Sequence, residues 1–382
     1  MLEIRRFEQN DVQAVVALLK LTFQGWHSVD FWKWKYLMNP AGFDRNIWIA
    51  KDADRVVGYY AIIPTAMKVG NREVLGAQSV DTATHPSYRG RGIFVDLATH
   101  VLQEASKTEI SMVYGFPGAQ SYGGFIKLGF KRICEVPKMM AVMNPPALNA
   151  MRWRDAASAP RALWKYLRRL PQSEDEQDLL DRFRDTYSDI EAFVRFGLRV
   201  ARVESLRGDG PIRLVTRFDH RYESLWTSIS HRYDIAVCRG TDYLNWRYFQ
   251  NPEERYLVVA FEDREEILGY AVLTTTYAEG TLTGYIVDMV GTEGEVIESL
   301  LGFALRYFSS VGAGIVIAWE PCEADHLSAF KKVGFFPAHL GKLLPTRLAL
   351  SVIALATSID ASELVASSST RWQFAMGDSD WI

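Results

Sequence analysis

The strongest chemical signal in the sequence is an alternation of arginine and glycine, Arg89-Gly90-Arg91-Gly92, which Ile93 follows. This segment lies between a strand pattern that ends in SVDTATH (79–85) and a helical pattern. Glycine permits positive φ angles and lets a ligand approach the backbone closely. The N–H groups at a helix N-terminus bind anions, and the two arginines add positive charge. The segment is therefore predicted to bind a phosphate or a diphosphate.

The elements that must position this segment are indicated by the periodicity of apolar residues. Residues 10–23 predict an amphipathic helix, and residues 47–50 and 56–63 predict a hairpin with the polar turn KDADR. A second helix follows the Arg-Gly segment, and a strand (112–116) and a helical stretch that ends in LGF (128–130) come next. The apolar positions of the second helix are Val95, Ala98, Val101, Leu102 and Ala105.

The second half of the chain repeats landmarks of the first half in the same order and at similar spacing. WKYLMNP at 34–40 returns as WRYFQNP at 246–252, and FIKLGF at 125–130 returns as FKKVGF at 330–335. A repeat of this kind predicts two copies of one α/β unit. The second copy lacks the Arg-Gly segment, and its helix begins near a predicted capping box formed by Thr292 and Glu295.

The segment SVDTATHPSYRGRGIFVDLATHVLQEA (79–105), together with FIKLGF and the preceding helix and hairpin, resembles the GNAT acetyltransferase superfamily. The motif of that family reads Arg/Gln-x-x-Gly-x-Gly/Ala. Arg89 and Gly92 match its first and fourth positions, whereas Phe94 stands at the sixth. The resemblance implies an α/β fold with a mixed sheet in two tandem GNAT-like units, the second with a degenerate cofactor loop. Because Phe94 replaces the usual glycine or alanine, the phosphate-binding cradle formed by the Arg-Gly segment is expected to be wider or shifted there.

The resemblance also implies acetyl-CoA, or another acyl-CoA, as co-substrate. Its diphosphate is expected on the amides of Arg89, Gly90, Arg91, Gly92 and Ile93. Its pantetheine is expected to run beside strand 79–85 like an added strand. The acyl carbonyl then lies near the backbone of Val80, Thr82 and Ala83, where an N–H group can stabilise an oxyanion.

Proton transfer has three candidate residues and one expected gap. The acceptor amine must lose a proton to attack, directly or through water, and Asp81 and His85 are the candidate bases. Asp81 is expected to point opposite to Val80, as alternate residues of a strand do. Phe125 stands where the family usually has the tyrosine that protonates the leaving thiolate, so Tyr122 is the candidate acid and Phe125 is expected only to contact the cofactor. Each candidate has an alternative as a packing residue.

Composition excludes several classes of function. Lys and Arg number 43 and Asp and Glu number 46, a net charge of −3 that predicts no nucleic-acid partner. Three scattered cysteines, Cys134, Cys238 and Cys322, favour a reducing, cytoplasmic location over a disulfide framework. The N-terminus lacks a signal-peptide core, and Leu348 to Ala356 is far shorter than the ~20 apolar residues of a membrane span. No integral membrane association and no metal are expected, and an oligomer remains open.

These observations predict four regions and one activity. The regions are an acyl-CoA-binding GNAT domain (1–145), a linker or insertion with surface helices (146–205), a C-terminal GNAT-like domain (206–350) and a tail (351–382). The expected activity is transfer of an acyl group, acetyl first, to a primary amine of a small metabolite or an amino sugar. Two alternatives stay open: an aminoacyl-type transferase of cell-wall or thiol biosynthesis, and a non-catalytic acyl-CoA-binding module, which phenylalanine at both usual acid positions favours.

Overall fold

The computed structural model describes residues 2–23, 28–42, 46–143, 210–278, 281–337, 349–357, 359–367 and 369–379. The expected linker, residues 146–205, lies outside them. The chain divides into two compact units, the first made of Met1–Val136, Thr216–Tyr256 and Leu350–Ile382, the second of Pro137–Val215 and Leu257–Ala349. The sequence boundaries divide the chain differently. Residues 216–256 and the tail pack with the first unit, although the repeat assigned 216–256 to the second copy.

The secondary structure is that of a mixed α/β protein. In chain order, the described strands are β1 (Leu2–Arg6), β2 (Ile47–Asp52), β3 (Arg55–Val69), β4 (Arg72–Thr84), β5 (Met112–Gly115), β6 (Lys131–Val142), β7 (Ile212–Val215), β8 (Ile235–Val237), β9 (Leu257–Asp263), β10 (Glu266–Ala278), β11 (Thr281–Gly291), β12 (Ile315–Trp319), β13 (Phe336–Pro337), β14 (Ala349–Ala356) and β15 (Trp372–Gln373). The described α-helices are α1 (Val12–Thr22), α2 (Val29–Leu37), α3 (Ile93–Ala105), α4 (Ala119–Lys127), α5 (His220–Ile229), α6 (Thr241–Phe249), α7 (Gly294–Ser310), α8 (Ala324–Lys332) and α9 (Ile359–Ala366).

The sheet of the first unit follows the chain from β1 to β5. Strands β1 to β4 pair antiparallel with their neighbours, whereas β4 and β5 pair parallel. Strand β14 pairs antiparallel with β5 on its other side. Strand β8 pairs with the end of β3, and β15 pairs with β8. The parallel β4–β5 pair follows from the crossover through α3, because parallel neighbours need a long connection.

Strand β3 lies at the centre of the first unit, and its two faces belong to different cores. Val56, Tyr59 and Ala61 pack with α1 and α2, whereas Tyr60 and Ile62 pack with α3. Every residue from Val56 to Thr65 is buried, as expected of a strand covered by helices on both faces.

A glycine lets α3 approach β3 closely. A Cβ atom at Gly58 would come within 2.6 Å of Ile93 and 2.8 Å of Leu97. The equivalent glycine of the second unit, Gly269, would place a Cβ atom 2.7 Å from Val296 of α7. The same close approach of helix to sheet therefore recurs in both units.

The sheet of the second unit repeats the strand order and strand directions of the first. The second half of β6 is followed in the sheet by β12, β11, β10, β9 and β7, with β11 and β12 parallel and the other pairs antiparallel. Helix α7 covers this sheet through Leu300, Leu301 and Phe308. It begins at Gly294 with Glu293 as N-cap and no side-chain cap bond, so the predicted capping box of Thr292 and Glu295 is wrong.

Most elements predicted from periodicity are confirmed. Helix α1 matches its predicted span closely, and the β2–β3 hairpin is present, but β3 continues to Val69, well beyond the predicted end at residue 63. Helix α3 is also confirmed, but Val95 is 38% exposed instead of buried. The buried face comprises Ile93, Leu97, Ala98, Val101 and Ala105, so it includes three of the five predicted positions and adds Ile93 and Leu97.

Candidate active site

The Arg-Gly segment presents a continuous run of backbone N–H groups. None of the amides from Gly90 to Val95 donates a hydrogen bond to an acceptor in the part of the chain that the structure describes, and the first bond of α3 runs from Asp96 N to Gly92 O. Gly90 and Gly92 have φ angles of +76° and +80°, which place these residues in the left-handed region that glycine tolerates. The segment thus has the backbone form of an anion site at a helix N-terminus.

Side chains beside this segment hold its shape. The Tyr88 hydroxyl donates a 2.7 Å hydrogen bond to Asp52, and this bond raises the pKa of Tyr88. The Arg91 guanidinium lies 4.8 Å from the centre of the Tyr88 ring and donates to Ser87 O. Arg89 and Arg91 are both exposed, so their charges face solvent at the loop.

The second unit has no equivalent of this segment. Strand β11 ends at Gly291 and α7 begins at Gly294, and the carboxylates of Glu293 and Glu295 stand at the start of the helix. Negative side chains at a helix N-terminus oppose the binding of another anion there.

Strand β4 carries a bulge at the residues predicted to face the acyl group. Tyr59 pairs with Ala83 and Ala61 pairs with Val80, so Asp81 and Thr82 together lie opposite Tyr60. Asp81 has a φ angle of +49°. Val80 and Asp81 were predicted to point to opposite faces of the strand, and this prediction is wrong. Because the backbone turns at Asp81, Val80 packs in the core with α2 and Asp81 also bonds to α2.

The strands β4 and β5 part where the bulge begins. Their parallel pairing runs from Ala77 and Val113 to Ser79 and Gly115. Strand β5 ends there, whereas β4 continues to Thr84. The separation leaves one edge of β4 without a paired strand among those described, which is the setting in which an extended ligand can add to a sheet.

A cavity of about 430 Å³ opens at this separation, within the first unit. The fork, where β4 and β5 separate, supplies one part of the cavity wall. This part runs from Gln78 to Thr82 on β4 and from Gly115, the last residue of β5, to Gly118. The other part comes from distant segments of the chain. Its lining there comprises Phe23, Phe31, Trp34, Lys35, Ile63, Thr65, Tyr243, Trp246, Arg247, Ile353, Gly377 and Ser379.

A buried ion pair fixes Asp81 in the cavity wall. Lys35 Nζ lies 2.7 Å from Asp81 Oδ2, and the two side chains are 6% and 5% exposed. The Tyr36 hydroxyl donates to the same carboxylate oxygen. Asp81 therefore lines the cavity, with one of its oxygens engaged by two donors of the protein.

His85 lies at the end of β4 in a different setting. Its Nδ1 atom accepts a hydrogen bond from Ser87 N, and its Nε2 atom contacts the Arg55 guanidinium. Burial, and then the charges of Arg55 and Arg89, lower the pKa of His85. The imidazole caps the turn at Pro86–Tyr88 and is not among the residues that line the cavity.

The position usually taken by the acid is filled by a cluster of rings. Phe125 is 4% exposed, lines the cavity, and lies 5.2 Å from Phe94, measured between ring centres. Phe94 occupies the space over Gly124, where a Cβ atom would come within 2.2 Å of its ring. Phe94, which departs from the family motif at its sixth position, therefore fits because residue 124 on α4 is a glycine. Tyr122 packs at the edge of the same core and does not line the cavity.

The far wall of the cavity is built around two stacked tryptophans from the repeated motifs. The rings of Trp34 and Trp246 lie 5.0 Å apart, and each indole N–H donates to the backbone carbonyl of the other residue. Arg247 follows in this wall; its guanidinium donates to the carbonyls of Gly377 and Ser379. This part of the tail is thus a buried part of the wall.

Asp378 holds the tail in place. It is 1% exposed and forms a 2.7 Å salt bridge with Arg239, and it accepts hydrogen bonds from the Tyr243 hydroxyl and from its own turn at Ala375 N. This buried network explains how the two residues that flank Asp378 reach the cavity wall.

Sequence reasoning missed several residues of the wall: Ser79, Lys35, Arg247, Gly377 and Ser379. Lys35 had a visible signal, because it is a charged residue in a motif otherwise rich in large rings. Arg247 stands at the equivalent place in the second motif, next to Trp246. Nothing local marked the tail residues, since the fold alone brings them to the first unit.

Two further findings concern the described residues. None of the helices among them has the length and apolarity to span a bilayer. No three or more His, Cys, Asp or Glu side chains in these ranges are grouped in a way that suits a metal ion.

Comparisons with known proteins agree with this geometry. Residues 3–133 match the family model described as "Acetyltransferase (GNAT) domain". No curated protein matches the chain. Solved structures similar to it include a GCN5-related N-acetyltransferase from Anabaena variabilis (15% identity, 94% of this chain and 74% of that one, TM-score 0.57). A second is a GCN5-related N-acetyltransferase from Kribbella flavida (14% identity, 96% and 73%, TM-score 0.58).

A third similar structure is N-myristoyltransferase of Saccharomyces cerevisiae with bound myristoyl-CoA, at 10% identity over 93% of this chain and 79% of that one, with a TM-score of 0.58. At such low identities, the three likenesses show the fold.

Proposed function

We propose, because residues 3–133 match a GNAT acetyltransferase domain, that this chain is a member of the GNAT superfamily and an acyl-CoA-dependent N-acyltransferase. The acyl group that we propose is acetyl, and the acceptor is a primary amine of a small metabolite or an amino sugar. The first unit binds the donor and carries out the transfer.

The observation that carries this proposal is the run of unbonded amides from Gly90 to Val95 at the start of α3. A diphosphate placed there receives several N–H donors at the positive end of a helix dipole, with two exposed arginines beside it. The second unit offers carboxylates at the equivalent helix start, which supports binding in the first unit alone.

The fork between β4 and β5 supports the placement of the rest of the donor. The pantetheine arm follows the edge of β4 that no described strand covers, and the thioester reaches the bulge at Asp81 and Thr82. There the main-chain N–H groups of β4 supply the donor for the oxyanion that forms when an amine attacks. The cavity must hold both the acyl group and the amine, and its volume of about 430 Å³ supports a short acyl chain.

The acceptor is proposed to enter from the far wall of the same cavity. That wall is rich in rings, among them Phe31, Trp34 and Trp246, and it carries the charges of Lys35 and Arg247. It supports a compact amine with an apolar face. Asp81, at the junction of the two walls, remains our proposed base, acting directly or through water. His85 and Tyr122, the other two candidates for proton transfer, do not line the cavity.

The test uses the full chain and two matched glycine variants. Acetyl-CoA binding is measured by calorimetry, and thiol release is measured with a panel of primary amines and amino sugars. Gly92→Trp is expected to abolish CoA binding by filling the cradle. Gly312→Trp, at a glycine of similar φ (+78°) in the second unit, is the control and keeps it.

Unchanged CoA affinity in Gly92→Trp contradicts the placement of the diphosphate. Tight CoA binding by the wild type without transfer to any amine favours a non-catalytic acyl-CoA-binding module instead.

A further inference from the structure

Two hydroxyl groups meet beside the position where the usual acid is replaced by Phe125. The hydroxyl of Tyr60, on β3, lies 2.9 Å from Ser79 Oγ on β4. Ser79 lines the cavity and is the last residue of β4 to pair with β5. Tyr60 packs in the same core as Phe125, so the hydroxyl pair lies on the α3 and α4 side of the sheet.

The direction of the hydrogen bond follows from burial. Tyr60 is 0% exposed, and Ser79 Oγ is the one acceptor that its hydroxyl contacts among the described residues. A buried donor without an acceptor costs free energy, so the tyrosine donates and the serine accepts. Burial also raises the pKa of Tyr60, which keeps the phenol protonated at neutral pH. The hydroxyl proton of Ser79 is then directed away from Tyr60, and the cavity is the polar space that this residue borders.

We propose, on the basis of the acyl-CoA-dependent function above, that Ser79 is a catalytic residue whose hydroxyl donates a hydrogen bond to the departing sulfur of CoA, with Tyr60 as its positioning residue. In the transfer, the C–N bond forms and the C–S bond breaks, and the electron pair of the C–S bond moves to sulfur. The excess proton of the amine passes to Asp81, directly or through water. The sulfur leaves as a thiolate that Ser79 stabilises without giving up its proton.

This role accounts for the loss of the usual acid. A thiol with a pKa of about 8.5 needs only modest stabilisation to leave as a thiolate near neutral pH. One charge-assisted hydrogen bond supplies an effect of that size. A phenylalanine at position 125 then costs little, because the neighbouring hydroxyl of Ser79 supplies the hydrogen bond that the thiolate needs.

The test measures the pKa of the CoA thiol bound to the full-length protein, because this quantity needs no acceptor. Ultraviolet thiolate absorbance is titrated against pH, with desulfo-CoA as the blank. The wild type is expected to lower the thiol pKa below about 8.5, and Ser79→Ala to raise it by about one unit, a tenfold change in the ionisation constant. Tyr60→Phe is expected to raise it by a smaller amount.

Matched variants separate this role from a structural one. Ser121→Ala removes a second hydroxyl from the same cavity wall, one that already donates to Gly118 O, and is expected to leave the thiol pKa unchanged. The double variant Ser79→Ala/Tyr60→Phe leaves no buried hydroxyl without a partner, so it reports on the thiol even if Ser79→Ala folds poorly.

The outcomes distinguish this inference from the proposed function. A bound thiol whose pKa is the same in the wild type, in Ser79→Ala and in the double variant overturns the role of Ser79 while leaving CoA binding intact. If calorimetry detects no CoA binding by the wild type, the proposed function fails and the role of Ser79 fails with it.

Discussion

The ion pair between Lys35 and Asp81 gives the most quantitative prediction. Lys35→Met removes the ammonium group but keeps an unbranched side chain of similar length in α2. The Asp81 carboxylate then stays at the bulge of β4 with the Tyr36 hydroxyl as its donor. The perturbation therefore leaves one buried negative charge without its cation and changes little else.

The size of the effect follows from the geometry. At the 2.7 Å separation of Nζ and Oδ2, the attraction is roughly 6 kcal/mol at an effective dielectric constant of about 20. Desolvation of both groups offsets much of it, but removal of one partner leaves the other uncompensated, at a cost of about 3–5 kcal/mol. We expect the lower end, about 3 kcal/mol, because Tyr36 still bonds the carboxylate.

The assay is urea unfolding followed by tryptophan fluorescence. With an m-value of about 3 kcal/mol/M, a loss of about 3 kcal/mol lowers the midpoint by about 1 M. Lys35→Met/Asp81→Asn removes both charges, and asparagine tolerates the left-handed backbone at this position. This double variant is expected to regain most of the lost stability. The reasoning is refuted if Lys35→Met unfolds at the wild-type midpoint, or if the double variant is less stable than the single one.

Three further predictions concern stability. Gly124→Ala is expected to lower the free energy of unfolding in urea by about 1–3 kcal/mol, because its Cβ atom meets Phe94. Gly123→Ala, which has open space around its Cβ atom, is expected to stabilise α4 by up to about 1 kcal/mol. Equal effects of the two variants would contradict this packing. Because burial lowers the pKa of His85, the unfolded state binds its proton more readily. The wild type should thus lose stability as pH falls below about 6.5, and His85→Gln should lose less; identical pH profiles would dismiss this. Trp34→Phe removes the indole N–H that donates to the backbone carbonyl of Trp246. It should lower the free energy of unfolding by about 1–3 kcal/mol, and an unchanged midpoint of urea unfolding would argue against this hydrogen bond.

The sequence predicted the elements of the first unit because their signals are local. The hairpin of β2 and β3 follows from two β-rich runs around a polar turn, and the cradle from glycines between a strand and a helix. Gly58 and Gly269 stand at equivalent places in the two units, and the structure gives the physical reason for each glycine, which is the close approach of a helix.

The remainder of the site depends on contacts between distant parts of the chain. The stack of Trp34 on Trp246 and the burial of Asp378 against Arg239 bring the second motif and the tail to the cavity, and no local pattern encodes either. The left-handed backbone at Asp81 likewise overrides the alternation of a regular strand. Local patterns therefore predicted a glycine-rich turn between a strand and a helix, but not the wall of the cavity that distant segments form.

The most direct test of the account is a crystal structure of the full chain with acetyl-CoA. The account predicts the diphosphate on the amides of Arg89 to Ile93 and the thioester at the bulge of Asp81 and Thr82. Diphosphate density in the second unit, or a closed turn at Gly90 with the nucleotide seated elsewhere, would contradict it.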